Sequence, residues 1–233
     1  MDFNNIDLKK EYDKLLVQRR CGLRNVMQRL ENIKDVIEHE YLEDGECRKC
    51  SPFDTIKSRI KTYESTCEKI SRKGWEMNVE GLEKVHDIAG IRIVTPFIDD
   101  VYALRDILYD LVDNTKPKNT MRIVEERDYI EHQKPSGYRS LHLLVEVKIS
   151  AKKGVKPKWT PVEIQIRTKN MDNWSYYEHM FKYKNPHPSP DAEKKLLEAA
   201  KMLSELDQYM VTLRDENLAE AIGARKSALS DSN

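Results

Sequence analysis

The chain has 233 residues, 39% hydrophobic and 34% charged, so it can bury a sizeable core while exposing much solvated helix surface. Forty Lys/Arg balance forty Asp/Glu, which excludes a global field that would draw the protein to nucleic acid or a membrane. No apolar run approaches the ~18 residues that span a bilayer and no signal-peptide pattern opens the chain, so a cytoplasmic protein with reduced cysteines is expected.

Apolar residues at three- and four-residue spacing (Leu8, Tyr12, Leu15, Leu23, Val26, Leu30, Ile33, Ile37) predict a helix over ~6–42. A polar break over 43–52 follows, holding the single CxxC of Cys47 and Cys50. It lacks the second ligand pair of a zinc site, and no role is expected for it. A second helix is predicted over ~54–73, with Ile56, Ile60, Tyr63, Cys67 and Ile70 as its stripe and Gly74 as a left-handed cap. Between Arg48 and Lys73 eight basic residues face three acids, a local excess that is ordinarily a solvated face unless something anionic lies beside it.

In VHDIAGIRIVTP, Ile91 and Ile93 point one way and Arg92 the other, a strand that Pro96 ends. Asp99 and Asp100 open a helix with Val101, Leu104, Leu108 and Leu111 inward. After a Lys/Pro/Asn linker (114–120), MRIVEERDYI reads as a strand. KPSGYRSLHLLVEV reads as a glycine turn running into another strand, with Leu141, Leu143, Val145 and Val147 on one face. Beyond the loop SAKKGVKPKWTP, VEIQIRT alternates cleanly: Val162, Ile164 and Ile166 against Glu163, Gln165 and Arg167. A helix over 170–184 carries Met171, Trp174, Tyr177 and Phe181. Ser189-Pro190-Asp191 starts a terminal helix, with Leu196, Ala200, Leu203, Leu206, Met210 and Leu213 as its stripe and a frayed tail after ~222. The expectation is an α/β (α+β) core, 51–188, between an N-terminal helical arm, 1–50, and a C-terminal helix and tail, 189–233. The arms either fold back on the core or pair between chains; their spacing does not choose.

A sheet face carrying Glu, Gln and Arg in a row costs too much to bury dry, so it faces bulk water or lines a wet cleft. Asp87, at the mouth of the Ile91 strand, and Glu163 together make a minimal Mg²⁺ site, since Mg²⁺ takes one or two carboxylates and completes its octahedron with water and phosphate oxygens. Arg59, Lys61, Lys69, Arg72 and Arg92 suit a polyphosphate, and Tyr138, displayed on a glycine turn, suits base stacking. The rival reading of His86-Asp87 as a metal-dependent phosphohydrolase pair needs further ligands on helices, whereas this pair introduces a strand. Ser136, Ser140 and Cys67 have no evident base and orienter.

SRIK (58–61), EKISRKG (68–74), HDIAGIRI (86–93), ERDYI (126–130), KPSGYRSLH (134–142), VEIQIRT (162–168) and Trp174, Glu178, His179, Tyr183, Lys184, in that order, resemble the synthetase domain of RelA/SpoT-type alarmone enzymes. The likeness covers ~52–190, and a stand-alone small alarmone synthetase of the RelQ/RelP-like class, without hydrolase or regulatory domains, is expected. The resemblance implies a nucleotidyltransferase-like mixed sheet and a stringent-response pyrophosphokinase, taking ATP and GDP or GTP to AMP and ppGpp or pppGpp. It implies Asp87 and Glu163 as Mg²⁺ ligands, with Glu163 also placed to accept the 3′-hydroxyl proton. Arg59, Lys61, Lys69 or Arg72, and Arg92 would grip ATP, and Tyr138 would stack guanine. Lys134, Arg139 and His142 would sit near the acceptor's phosphates, supported by Gln165, Arg167, His179 and Lys184.

Some features depart from the family pattern. Glu125-Glu126-Arg127-Asp128 mixes the acidic and basic versions of the segment tied to GDP or GTP preference, which leaves the acceptor open. Asp172 stands where relatives often carry Asn, and Asp54–Ser58 does not match the allosteric alarmone site of that class. The resemblance also implies a homotetramer joined through terminal helices. Two alternatives stay open: a toxic relative that pyrophosphorylates the tRNA 3′-end or makes adenosine alarmones, holding RNA on Gln18–Arg24 and Arg48/Lys49, and a catalytically dead binding module, against which intact Asp87, Glu163 and Tyr138 argue.

Overall fold

The computed structural model describes residues 6–43, 51–112, 120–149, 157–185 and 188–230; Cys47, Arg48, Lys49 and Cys50 lie outside them. Five strands form one mixed sheet in the order β1-β2-β5-β4-β3: β1 (Thr55–Ile60), β2 (Ala89–Thr95), β3 (Met121–Asp128), β4 (Leu141–Ile149) and β5 (Lys158–Thr168). Only β2 and β5 run parallel; the other neighbours are antiparallel. The helices are α1 (Ile6–Glu43), α2 (Tyr63–Arg72), α3 (Val79–Glu83), α4 (Ile98–Leu111), α5 (Lys169–Lys184) and α6 (Pro190–Ser230).

One face of the sheet is dry. Leu23, Val26 and Leu30 of α1 and Val101, Leu104 and Leu108 of α4 close over Ile91, Ile93, Leu143, Val145, Val162 and Ile164, all buried. The N-terminal half of α1 makes a second core, Leu8 and Tyr12 against Tyr63, Cys67 and Ile70 of α2 and Ile88. So α1 folds back along the sheet and spans both clusters. Tyr12 donates its hydroxyl hydrogen to the Lys61 carbonyl, and the buried Arg19 donates to the carbonyls of Pro161 and Glu83.

The helix expected over ~54–73 is two elements, a strand and then α2. Ile56 and Ile60 stand four apart, a spacing that suits a helix but equally puts both on one face of a strand, and both pack on the core. Antiparallel pairing with β2 decides for the strand. Thr62 then caps α2, its hydroxyl oxygen accepting from the Ser65 amide at 3.2 Å, and Gly74 ends that region with φ 66°, as predicted. The short α3 and the 3₁₀ turn His86–Ile88 have no counterpart in the sequence reading. β5 begins at Lys158, inside the expected loop, and β3 stops at Asp128.

The terminal stripes are the larger correction. On α5, Met171 and Trp174 are buried, whereas Tyr177 and Phe181 are exposed. On α6, which continues as helix to Ser230, Ala200 is buried but Leu206, Met210 and Leu213 are exposed. Periodicity marked an apolar face there; it did not say that this chain's own core would cover it.

The seat of α1 on the sheet depends on Gly22, where an added Cβ would meet the Thr160 methyl at 2.8 Å. Gly22→Val is expected to lower the unfolding free energy by about 1–3 kcal/mol through overpacking, read from urea denaturation; a loss confined to less than about 0.5 kcal/mol would mean that α1 can lift off at no cost.

Candidate active site

The opposite face of the sheet is polar, and its rows follow from the register. Arg59, Gly90, Glu163, Leu144 and Glu125 lie side by side across the five strands; the next row is Lys57, Arg92, Gln165, His142 and Arg127. In the first row Arg59 lies against Gly90, its Cγ and Nε 3.7 and 3.8 Å from where a Cβ would stand, an ordinary contact distance. A bulge in β3 between Ile123 and Glu125 keeps Ile123 opposite Val145 on the dry side while turning Glu125 and Arg127 onto the polar one.

That bulge sorts the mixed charges of 125–128. Arg127 grips Glu125 with two bonds of 2.6 and 2.7 Å beside the cleft. Glu126 turns to α4, accepting from the Tyr109 hydroxyl at 2.8 Å. Asp128 caps the following turn, accepting from the Ile130 and Glu131 amides at 2.7 and 3.0 Å.

Glu163 and Asp87 line one cleft, together with Lys69, Lys73, Lys84, His86 and His142 among others. Asp87 sits on the 3₁₀ turn that feeds β2, with the ammonium groups of Lys61 and Lys69 at 3.2 and 2.9 Å. Its Oδ1 is buried and, despite the nearby Lys69 charge, has no hydrogen bond of acceptable geometry. A hard carboxylate oxygen that a cation already attends, in the same cleft as a second carboxylate, fits Mg²⁺, which needs few protein ligands. Among the described residues no three His, Cys, Asp or Glu side chains form a closed metal cage.

Glu163 belongs to a ring of polar contacts, four of them hydrogen bonds and the fifth an ion-pair contact with His142. Arg167 Nη2 donates to the Tyr138 hydroxyl at 3.1 Å and to Gln165 Oε1 at 2.6 Å. Gln165 Nε2 donates to Glu163 Oε2 at 2.7 Å. On the other arm the Tyr138 hydroxyl lies 2.8 Å from His142 Nε2, and His142 Nδ1 lies 3.4 Å from Glu163 Oε1. The carboxylate therefore assigns the proton to Nδ1, leaving Nε2 to accept from tyrosine. Both oxygens of Glu163 are thus aimed by the same buried guanidinium, whose residue is 2% exposed.

Burial alone would raise the Glu163 carboxyl, but His142, Gln165 and the Lys69 charge outweigh it and bring it from 4.5 to about 2. Burial pushes His142 below its ordinary range, so it is neutral at physiological pH. Tyr138 is half-buried, with Lys134 Nζ 4.8 Å and the Arg167 guanidinium 5.5 Å from its ring centre. Asp172, on α5, lies between Arg92 at 3.1 Å and Arg167 at 3.4 Å.

Of the expected residues, Lys69, Asp87, His142 and Glu163 line this cleft. Arg59, Lys61, Arg92, Lys134, Tyr138, Gln165 and Arg167 lie outside the lining and join it through the sheet rows, the Asp87 ion pair, the Tyr138–Arg167 hydrogen bonds or the Tyr138 ring. Arg72 is exposed and absent from the lining, where Lys73 stands instead, one turn beyond Lys69 on the same side. Arg139 lies behind the turn, 3.8 Å from Asp207 of α6. His179 is exposed on α5 and outside the lining, and Lys184 is the last residue of that helix. Lys73, Trp75, Lys84 and the Glu125–Arg127 pair are additions to the expected site residues; the basic run through Lys73 and the mixed-charge segment 125–128 were the sequence signals for two of them.

A family model described as a region found in RelA / SpoT proteins matches residues 58–188. The GTP pyrophosphokinase YwaC of Bacillus subtilis is 39% identical over 168 residues, covering 71% of this chain and 76% of that protein. The GTP pyrophosphokinase YjbM of the same organism is 34% identical over 219 residues, 93% of this chain and 95% of that one. Among solved structures, small alarmone synthetase 1 from B. subtilis, bound to its product pppGpp, superposes with a TM-score of 0.75 at 32% identity, over 89% of this chain and 98% of that one.

The depressed Glu163 carboxyl has a consequence for stability. Its contribution is complete above about pH 4.5, the ordinary value, and is lost as the pH falls through about 2. Replacing Glu163 by Gln is expected to flatten the decline of unfolding free energy across that interval, measured by urea titrations between the two values. Parallel curves for the two proteins would show that the ring does not hold Glu163 ionised.

Proposed function

This chain belongs to the RelA/SpoT family, and from that premise we propose that it is a GTP/GDP pyrophosphokinase making pppGpp or ppGpp. The 3′-oxygen of the acceptor ribose attacks the β-phosphorus of ATP and its hydroxyl proton passes to solvent; the bond from that phosphorus to the oxygen bridging it to the α-phosphorus breaks, and AMP leaves with that oxygen. The observation that carries the reading is the pair Asp87 and Glu163 lining one cleft among lysines, in a chain alike over nearly its whole length to a GTP pyrophosphokinase.

Two polyanions must be brought into line, so charge neutralisation and positioning supply most of the rate. Asp87 and Glu163 would hold Mg²⁺, which would supply positive charge to offset that of the phosphates. Lys61 and Lys69, already gathered at Asp87, and Lys73 then face the phosphates of ATP, with Arg59 and Arg92 further along the same face. A carboxyl held near 2 is a weak base, so Glu163 orients the 3′-hydroxyl by accepting its hydrogen bond more than it removes the proton. Tyr138 offers the guanine a ring whose hydroxyl is fixed by Arg167 and His142, and Lys134 must swing off that ring to admit the base. The exposed apolar side chains of the terminal helices, such as Phe181, Leu206, Tyr209, Met210 and Leu213, suit burial between copies in a homotetramer.

ATP labelled on its terminal phosphate, offered with GDP, GTP, ATP or deacylated tRNA, is expected to pass label to GDP or GTP with release of AMP. Label on tRNA or an adenine nucleotide alone would replace this reading by that of a toxic relative. Glu163→Gln should lower kcat by about 10²-fold or more by misplacing the 3′-hydroxyl while ATP affinity, measured by calorimetry, stays within about threefold; normal turnover would remove the central assignment. Tyr138→Ala should raise the acceptor KM by about tenfold or more, since a stacked base is worth about 1–3 kcal/mol, and an unchanged acceptor dependence would sink the stacking role.

A further inference from the structure

The turn that displays Tyr138 is held from behind by a helix outside the family-matched segment. Gly137 has φ 91°, a left-handed conformation, and a Cβ there would stand 2.7 Å from the Ala200 Cβ of α6, so turn and helix are in direct backbone-level contact. The turn closes on itself through the Gly137 amide to the Lys134 carbonyl, 2.9 Å. Trp174, whose ring lies 6.3 Å from Tyr138, donates its indole N–H to the Leu196 carbonyl at 3.1 Å.

At the centre of this contact is a carboxylate that the reaction does not use. Asp207 of α6 has a side chain only 3% exposed. Its Oδ2 accepts from the Thr168 hydroxyl and its Oδ1 from the Asn170 amide, both at 3.0 Å, and Arg139 stands 3.8 Å from Oδ2. The three partners belong to three different pieces of the site. Arg139 follows Tyr138 directly. Thr168 ends β5 next to Arg167, and its hydroxyl oxygen also accepts from the Met171 amide as the cap of α5. Asn170 lies in the first turn of α5, the helix that carries Asp172 to Arg92 and Arg167.

An ionised carboxylate is costly to bury unless each oxygen is satisfied. Here satisfaction comes only from groups that position the Tyr138 turn, the end of β5 and the start of α5 relative to one another. An apolar residue at 207 would fill the space on α6 without aligning any of them. Arg139, expected at the acceptor's phosphates, is engaged here instead.

We propose that Asp207 is a positioning residue for the acceptor side: it anchors Arg139, Thr168 and Asn170 to α6 and thereby fixes where Tyr138 is presented. The anchor rests on the geometry alone; its link to the acceptor rests on the reading of Tyr138 above.

The test uses the full chain with Asp207→Ala and Asp207→Asn, comparing amide hydrogen exchange without substrate and the KM values for acceptor and ATP. Exchange across 134–142 should quicken by about tenfold in Asp207→Ala, the equivalent of about one to two hydrogen bonds, with α4 and β2 unchanged. The acceptor KM should rise by a similar factor and the ATP KM stay within about twofold, with smaller effects in Asp207→Asn, which keeps the shape and one acceptor. Unchanged exchange in 134–142 would overturn the proposal, as would exchange quickening equally in α4 and β2, because Asp207 would then only support the fold. Faster exchange in the turn with a shift in the ATP KM rather than the acceptor KM would uphold the anchor and overturn the acceptor assignment of Tyr138.

Discussion

The parallel pairing of β2 with β5 is the constraint on which the site depends. It sets Gly90 opposite Glu163 and Arg92 opposite Gln165, so the turn carrying Asp87 opens beside Glu163. Because side chains alternate with a period of two, a slip of one residue would send Glu163, Gln165 and Arg167 into the α1–α4 core and bring Val162, Ile164 and Ile166 out to water. Burying that charged row would cost far more than any ladder hydrogen bond returns. Core and cleft therefore enforce the same register, one by wanting apolar contact and the other by refusing it.

Within that frame the cleft holds opposite charges in deliberate proximity. Lysines gather at Asp87, and Arg167 commands both arms of the ring around Glu163. The ring links the tyrosine proposed to meet the acceptor base with the carboxylate proposed to meet its hydroxyl, through His142 on one arm and through Arg167 and Gln165 on the other. Such linkage costs little reorganisation, because each donor already points where it is needed. The same ring explains why Glu163 stays ionised though largely buried: the hydrogen bonds it accepts favour the charged form more than burial disfavours it.

The helices divide the remaining work unevenly. α1 is an integral wall, packed on the sheet by Leu23, Val26 and Leu30 and on α2 by Leu8 and Tyr12. α6 touches the core sparingly, through Ala200, Asp207 and an ion pair of Arg214 with Asp99 at 2.7 Å. Much of its apolar stripe is left in solvent, which is affordable only where something else covers it or where the rest of the helix is strongly charged. Its Ala200 and Asp207 contacts fall behind the Tyr138 turn, while Arg214 reaches α4.

Much of this was legible in the order of residues. Alternation in 89–95, 141–147 and 162–168 marked strands with one dry and one polar face, and the two carboxylates proposed to hold metal were visible as one at the mouth of a strand and one on a polar face. Residues 55–60 were misread, because Ile56 and Ile60 satisfy helix and strand alike and only pairing with β2 separates them. Arg139 looked like a phosphate ligand beside Tyr138, yet meets Asp207, itself unremarkable among nine acids in the terminal segment. The reason is physical. The direction of a side chain from its strand is a local property with a period of two, written in the sequence; the partner it finds is set by register, by a bulge in β3 and by a helix that returns from the far end of the chain.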